Sequence, residues 1–158
     1  SEGRTRSQGV ELALAHDRAQ HGFELSATYA VHRYDFTGGA TGGEFVRKGN
    51  MIDTAPRWLG NALWRWSPAE GLAGELELNV QGKHYINADN TAKYGEHYVV
   101  NWRGRYTLSE RTTVFARLIN VLDRRYADRA DYTTFDPGLY RYFLAMPRQL
   151  YLGVTLTL

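Results

Sequence analysis

Along most of the chain, apolar residues recur at every second position. At the C-terminal end, Leu150, Leu152, Val154, Leu156 and Leu158 alternate with Gln149, Tyr151, Gly153, Thr155 and Thr157. Further upstream, Leu72, Gly74, Leu76, Leu78, Val80 and Gly82 alternate with Glu75, Glu77, Asn79, Gln81 and Lys83. Phe23, Leu25, Ala27, Tyr29 and Val31 oppose Glu24, Ser26, Thr28 and His32 in the same way. Successive side chains of a strand point to opposite faces, so a period of two predicts strands with one oily and one wet side. Seven are predicted, near 9–16, 22–35, 56–66, 72–86, 95–107, 112–126 and 147–158. Most run ten residues or more, longer than the usual globular length of about 5–6 and long enough for the roughly 9–11 needed to cross a membrane.

The predicted connections alternate in length. Those near 17–21, 67–71 and 108–111 are short, whereas those near 36–55, 87–94 and 127–146 are long. Short turns at one end and long loops at the other are a habit of outer-membrane barrels. Aromatic residues gather near the strand ends: Trp64, Trp66 and Tyr106 toward the short turns, and Tyr29, Tyr34, Tyr85, Tyr94 and Tyr98 toward the long loops. Rings of this kind favour a membrane interface, and they also serve as ordinary packing in a soluble β-core.

Composition narrows the choice. The chain has 158 residues, enough for one domain, and a net charge of +2, too small an excess to suggest nucleic acid. With no Cys there is no disulfide framework, thiol nucleophile or Cys-based metal site. His16, His21, His32, His84 and His97 show no catalytic or zinc-protease spacing, so neither enzyme chemistry nor a metal or cofactor site is expected. The glycine-rich run from Thr37 to Gly43 lacks the ending of a phosphate loop and reads as a loop tip. Asp89 alone is too few carboxylates for a calcium loop.

The predicted strand from Thr112 ends in a polar knot, "INVLDRRYAD", with Asn120, Asp123 and Tyr126 inside it. This stretch resembles the Asn-Leu-Phe-Asp-x-x-Tyr segment in the penultimate strand of TonB-dependent outer-membrane receptors. Pro147 and Arg148, ahead of the last alternating strand, resemble that family's closing Pro-Arg. The chain closes on Leu158, where family members usually carry an aromatic residue. "RSQGVELAL", "DTAPRWLGNALWRW" and "NADNTAKYGEHYVVNWRGRY" are similar to earlier family pieces. A β-bulge near Leu118–Asn120 is expected, because Asn120 falls on the face of Val114, Ala116 and Leu118. Ion pairs of Asp123 with Arg124 or Arg125 are expected, with Tyr126 in the aromatic belt.

The resemblance implies an all-β fold, an antiparallel transmembrane β-barrel section of about seven strands from the C-terminal part of a barrel of about 22 strands. Residues 1–158 would be one section of one barrel domain, with the plug domain and N-terminal strands outside the chain. The implied function is energised uptake of a scarce nutrient, a ferric siderophore or similar metal chelate, across the bacterial outer membrane. Implied partners are outer-membrane lipid, the barrel assembly machinery, the chelate and the TonB complex, the last through a segment outside this chain. Leu150, Leu152, Val154 and Leu156 are expected to face lipid. Tyr132, Phe135, Tyr140, Arg141 and Tyr142, with Phe143 and Arg129 nearby, are the candidate ligand contacts, as rings to stack on a chelate and cations to attract an anionic one. A small complete eight-stranded porin or adhesin, and a soluble lipocalin-like carrier, stay open here. Periodicity alone cannot tell an oily exterior from an oily interior.

Overall fold

The computed structural model describes residues 4–35, 48–132 and 139–157. Seven long strands form one open sheet: β1 (Thr5–Arg18), β2 (His21–Tyr34), β3 (Trp58–Ala69), β4 (Leu72–Gln81), β7 (His97–Ser109), β8 (Thr112–Ile119) and β11 (Gln149–Leu156). Neighbours follow chain order and every pairing is antiparallel. Two small hairpins sit in the long connections, β5 (His84–Tyr85) with β6 (Lys93–Tyr94) and β9 (Ala127–Tyr132) with β10 (Tyr140–Leu144). Among the described residues the sheet does not close, since β1 and β11 are its two ends. That disagrees with both small closed barrels.

The register carries the alternation across the whole sheet. Glu24, Leu63, Glu77 and Asn101 lie in one row, and Leu25, Ala62, Leu78 and Val100 in an adjacent row of opposite direction. One face therefore holds Leu12, Leu14, Phe23, Leu25, Leu76, Leu78, Val114, Leu118, Leu150, Leu152, Val154 and Leu156. The other holds the charged and amide residues. The four predicted lipid-facing residues of β11 share this apolar face and are exposed. A soluble sheet would normally cover a continuous apolar surface of this kind.

The polar face is laced by side-chain bonds. Arg65 reaches Glu24 at 2.7 Å and Asp17 at 3.4 Å, and Arg103 reaches Glu75 and Glu77, each at 3.1 Å. Asn61 donates to Asn79 at 2.9 Å, and Asn101 donates to Glu77 at 3.2 Å. Solvent reaches these ion pairs and screens them, so they add little to stability. Their effect is to fix neighbouring side chains along a trough of about 720 Å³ on this face.

Aromatic rings mark both ends of the apolar face. Toward the short turns, Trp64 lies 6.2 Å from Phe23 and 4.8 Å from Trp66, and its indole N–H donates to His21 at 3.2 Å. Toward the long loops, Tyr29 meets Trp58 at 4.6 Å. Phe23 and Tyr29 are separated by about 20 Å of β2 at the usual strand rise.

The three tight turns are two residues each, Ala19–Gln20, Glu70–Gly71 and Glu110–Arg111. Gly71 has φ of +75°, and a Cβ there would press on Thr107, whose N–H donates to the Gly71 carbonyl at 2.9 Å. Both facts require glycine.

Two predicted strand ends are corrected. The strand near 72–86 stops at Gln81, and the one near 112–126 stops at Ile119. The bulge expected near Leu118–Asn120 is absent, because pairing runs without a shift to Ile119 opposite Gln149. Asn120 leaves the sheet instead, with φ of +51°. Asn tolerates this left-handed backbone better than most residues, so the polar side chain never has to sit among the leucines.

Candidate functional site

The long connections meet at one end of the sheet. Asn120 organises the third of them. Its side chain is buried, with Oδ1 accepting the Arg124 N–H at 2.9 Å. Its Nδ2 donates to the carbonyls of Arg124 at 2.9 Å and Met146 at 3.4 Å, and its own N–H donates to Asn101 at 3.0 Å. Every polar group is used, which is what a buried amide requires. Asp123, also left-handed at φ of +50°, accepts the Arg148 N–H at 3.0 Å. Pro147 lies immediately before, and the Arg148 guanidinium donates to the Val121 carbonyl at 3.4 Å. The resemblance-bearing residues Asn120, Asp123 and Arg148 thus meet where the third loop leaves and rejoins the sheet.

Two expectations about this knot fail. Asp123 forms no ion pair with Arg124 or Arg125 among the described residues; its carboxylate is taken by a main-chain N–H. Arg124 instead lies 4.6 Å over the Tyr98 ring. Tyr126 is not in the aromatic belt. It stacks on His97 at 4.7 Å, and both line a cavity of about 440 Å³ on the polar face, with Ser26, Asn61, Asn79 and Asn101.

The second and third loops pack through the two hairpins. Ile86, Ala92 and Ala130 form a small buried core, with Tyr94 and Tyr132 against it. The Ala127 N–H donates to the Tyr94 hydroxyl at 2.6 Å. Around Tyr94 stand His84 at 5.7 Å, His97 at 5.8 Å and Tyr142 at 6.0 Å. With Tyr126 beyond His97, five rings run from the loops onto the polar face. Nδ1 of His84 and of His97 is buried without a hydrogen-bond partner among the described residues. Burial lowers the His84 pKa, outweighing the raising effect of the Gly82 carbonyl, and nearby His97 adds to the lowering. Burial also raises the Tyr126 pKa, helped by Asp128.

The first loop is tied in by Asn90. Its Oδ1 accepts the Met51 N–H at 2.6 Å and its Nδ2 donates to the Met51 carbonyl at 2.8 Å. Asn87 caps the neighbouring turn by accepting the N–H groups of Thr91 and Ala92, each at 3.1 Å. The "NADN" amides are therefore spent on loop backbone and on the Thr91 hydroxyl.

Of the predicted ligand contacts, Tyr132, Tyr140, Arg141 and Tyr142 all lie on the β9–β10 hairpin, and Phe135 lies outside the described residues, as does Leu158. Tyr132 and Tyr140 are register partners with rings 5.7 Å apart. Tyr140 and Tyr142 remain half-exposed. Arg141 and Arg129 share Asp131, at 3.9 and 2.8 Å. Sequence reading gave His84 and His97 no role, and placed Tyr94 only at the loop end. Their grouping depends on two-residue strands too short to leave a periodic signal.

A family model described as "TonB dependent receptor-like, beta-barrel" matches residues 1–121. The chain belongs to the TonB-dependent receptor family. The match stops at Val121, so Asp123, Tyr126, Pro147 and Arg148 lie beyond it. Three solved receptors show the same fold. The ferric yersiniabactin uptake receptor FyuA from Yersinia pestis is 20% identical with a TM-score of 0.78, over 97% of this chain and 23% of its own. The siderophore receptor PiuA from Acinetobacter baumannii is 18% identical with a TM-score of 0.82, over 98% and 22%. BauA, the ferric preacinetobactin receptor from the same organism, is 22% identical with a TM-score of 0.76, over 99% and 22%. The chain thus spans less than a quarter of these receptors. Among curated proteins, none matches it.

Proposed function

We propose that this chain is the C-terminal wall section of an outer-membrane receptor that imports a ferric siderophore or similar metal chelate. The observation that carries the reading is the family match over residues 1–121. The apolar face of β1 to β11 would meet membrane lipid and the polar face would line the lumen. The plug, the remaining strands and the segment that engages the TonB complex would lie outside this chain, and the barrel assembly machinery would insert the whole. The solved neighbours named above, each a siderophore receptor, support iron chelates as the substrate class.

The loop end supplies suitable chemistry. Tyr140 and Tyr142 offer half-exposed rings for stacking, and the hairpin carries two arginines against one shared aspartate. Asp128 on the same strand balances the second arginine, so the hairpin offers guanidinium donors to a chelate rather than a net positive charge. Below lies the His97–Tyr126 stack, and below that the amides of Asn61, Asn79 and Asn101. A chelate would pass from stacking contacts to hydrogen-bonding ones as it descends.

The test is binding of ferric catecholate, hydroxamate and carboxylate chelates to the full-length receptor, alongside growth of cells on each as sole iron source. One chelate class should bind and support growth. Joint replacement Tyr140→Ala and Tyr142→Ala should weaken binding about tenfold or more at unchanged surface level, since buried aromatic anchors dominate such contacts. A receptor that binds none of the three and is dispensable for iron uptake would refute the substrate class.

A further inference from the structure

Among the described residues, no Asp, Glu, Lys or Arg lines the cavity of about 440 Å³ on the polar face. Asn61, Asn79, Gln81 and Ser26 line it together with the His97–Tyr126 stack. Glu77 sets the orientation of the amides. A carboxylate only accepts, so the amide groups that reach it are nitrogens. Asn61 Nδ2 lies 3.3 Å from one of its oxygens, and Asn101 Nδ2 lies 3.2 Å from the other. Asn61 Nδ2 also donates to Asn79 Oδ1 at 2.9 Å. Asn101 is then spent, because its Oδ1 accepts the Asn120 N–H. Asn61 Oδ1, Asn79 Nδ2 and the Gln81 amide keep free hydrogen-bonding capacity among the described residues.

Charge begins one step deeper. Glu24 lies next below Ser26 on β2, and Glu77 next below Asn79 on β4, all on the polar face. Arg65 and Arg103, which pair with them, lie a further step toward the short turns. Arg117 is level with Arg103. A ligand descending from the loops therefore meets amides first, carboxylates next and cations last. At the entrance, Arg129 and Arg141 stand against Asp128 and Asp131, and their guanidinium groups can donate to the oxygens of any chelate. Discrimination falls to the cavity. An anion there gives up water without gaining a cation, whereas an uncharged polar group exchanges its water for amides.

We propose that this cavity is a subsite for the uncharged, amide-bearing body of a chelate, so that the receptor takes a ferric trihydroxamate in preference to an anionic chelate. This rests on the metal-chelate reading above and deepens it. Three hydroxamates, each with a single negative charge, cancel the charge of ferric iron, whereas three catecholates leave the complex strongly anionic. The amide links that join hydroxamates carry both a donor and an acceptor, the complement of Asn61 Oδ1 and Asn79 Nδ2.

The experiment measures binding to the full-length receptor in detergent of a ferric trihydroxamate, a ferric tricatecholate, a ferric carboxylate and an iron-free neutral oligosaccharide. Wild type should bind the trihydroxamate about tenfold more tightly than either anionic chelate, or by a wider margin. Asn79→Leu should weaken trihydroxamate binding about tenfold, through loss of a donor, and leave the anionic chelates nearly unaffected. Thr155→Val, on the same face but outside the cavity, should bind the trihydroxamate as wild type does. If Asn79→Leu fails to assemble, Gln81→Leu is measured against the same expectation. An anionic chelate bound as tightly as the trihydroxamate, an equal loss for every chelate in the variant, no loss at all, or competition by the oligosaccharide would each overturn the subsite while leaving the metal-chelate reading intact. Binding of none of the three chelates, with or without the oligosaccharide, would overturn both readings.

Discussion

Asp123 accepts the main-chain N–H of Arg148 at 3.0 Å, joining the point where the third loop leaves β8 to the point where it returns as β11. Asn120 completes the clasp from inside, with its amide shared between Arg124 and Met146. Replacing Asp123 by Ala should cost about 0.5–1.5 kcal/mol, because an exposed hydrogen bond is lost. Asn120→Ala should cost more, since it abandons several buried groups at once. Thermal unfolding of the full-length receptor in detergent reads both, and a pair of variants as stable as wild type would remove the clasp from the account.

The two faces of β11 should answer a charge differently. Val154→Arg places a guanidinium on the apolar face, at a cost of up to about 2–4 kcal/mol if it lies deep in the bilayer. Thr155→Arg places it on the polar face, near Thr113. Outer-membrane fractionation should show the first variant depleted and the second near normal. Equal assembly of the two would count against the lipid-facing assignment.

Gly153 pairs with Phe115, and a Cβ at Gly153 would run into the Phe115 ring. Gly153→Val should therefore lower the melting temperature, in line with an overpacking cost of about 1–3 kcal/mol. Coupling it with Phe115→Ala should recover part of the loss. Strict additivity of the two changes would show that the ring and the glycine do not depend on each other.

The loop cluster should loosen in acid. Burial holds the packed His84 imidazole below its ordinary pKa of 6.5, and His97, its charged neighbour when protonated, acts the same way. The unpacked loop takes up the proton first. Packing is therefore at full strength above about pH 6.5 and declines as pH falls toward the lowered value. Hydrogen exchange across residues 84–94, corrected for its intrinsic pH dependence, should show less protection at pH 5 than at pH 7.5, and His84→Phe should flatten the difference. An unchanged profile in that variant would assign the effect elsewhere.

The strands were legible because their alternation is nearly unbroken, and the register confirms it residue by residue from Phe23 to Leu156. Loop lengths were legible for the same reason. The failures cluster where backbone conformation, not polarity, decides. Val114, Ala116, Leu118 and Asn120 continue one parity, so the pattern ran past Ile119. The turn there depends on a left-handed asparagine and a left-handed aspartate, which leave no mark in hydrophobic spacing. The His84–Tyr94–His97–Tyr126 cluster was hidden differently: Tyr126 is distant in sequence from the other three, and the contacts depend on how the loops fold back over the start of β7. The β9–β10 tyrosines were found by composition, while their packing on Tyr94 was not.

The clasp at Asn120, Asp123 and Arg148 has a consequence for how such a protein changes over generations. Because both feet of the third loop are fastened to the wall by side chains outside the β9–β10 hairpin, the hairpin can be lengthened, shortened or exchanged without disturbing the register of β8 and β11. Selection can then rewrite the surface that meets the environment while the wall is inherited unaltered. For the engineer, Asn120, Asp123 and Arg148 are the positions to keep when the loop between them is redesigned.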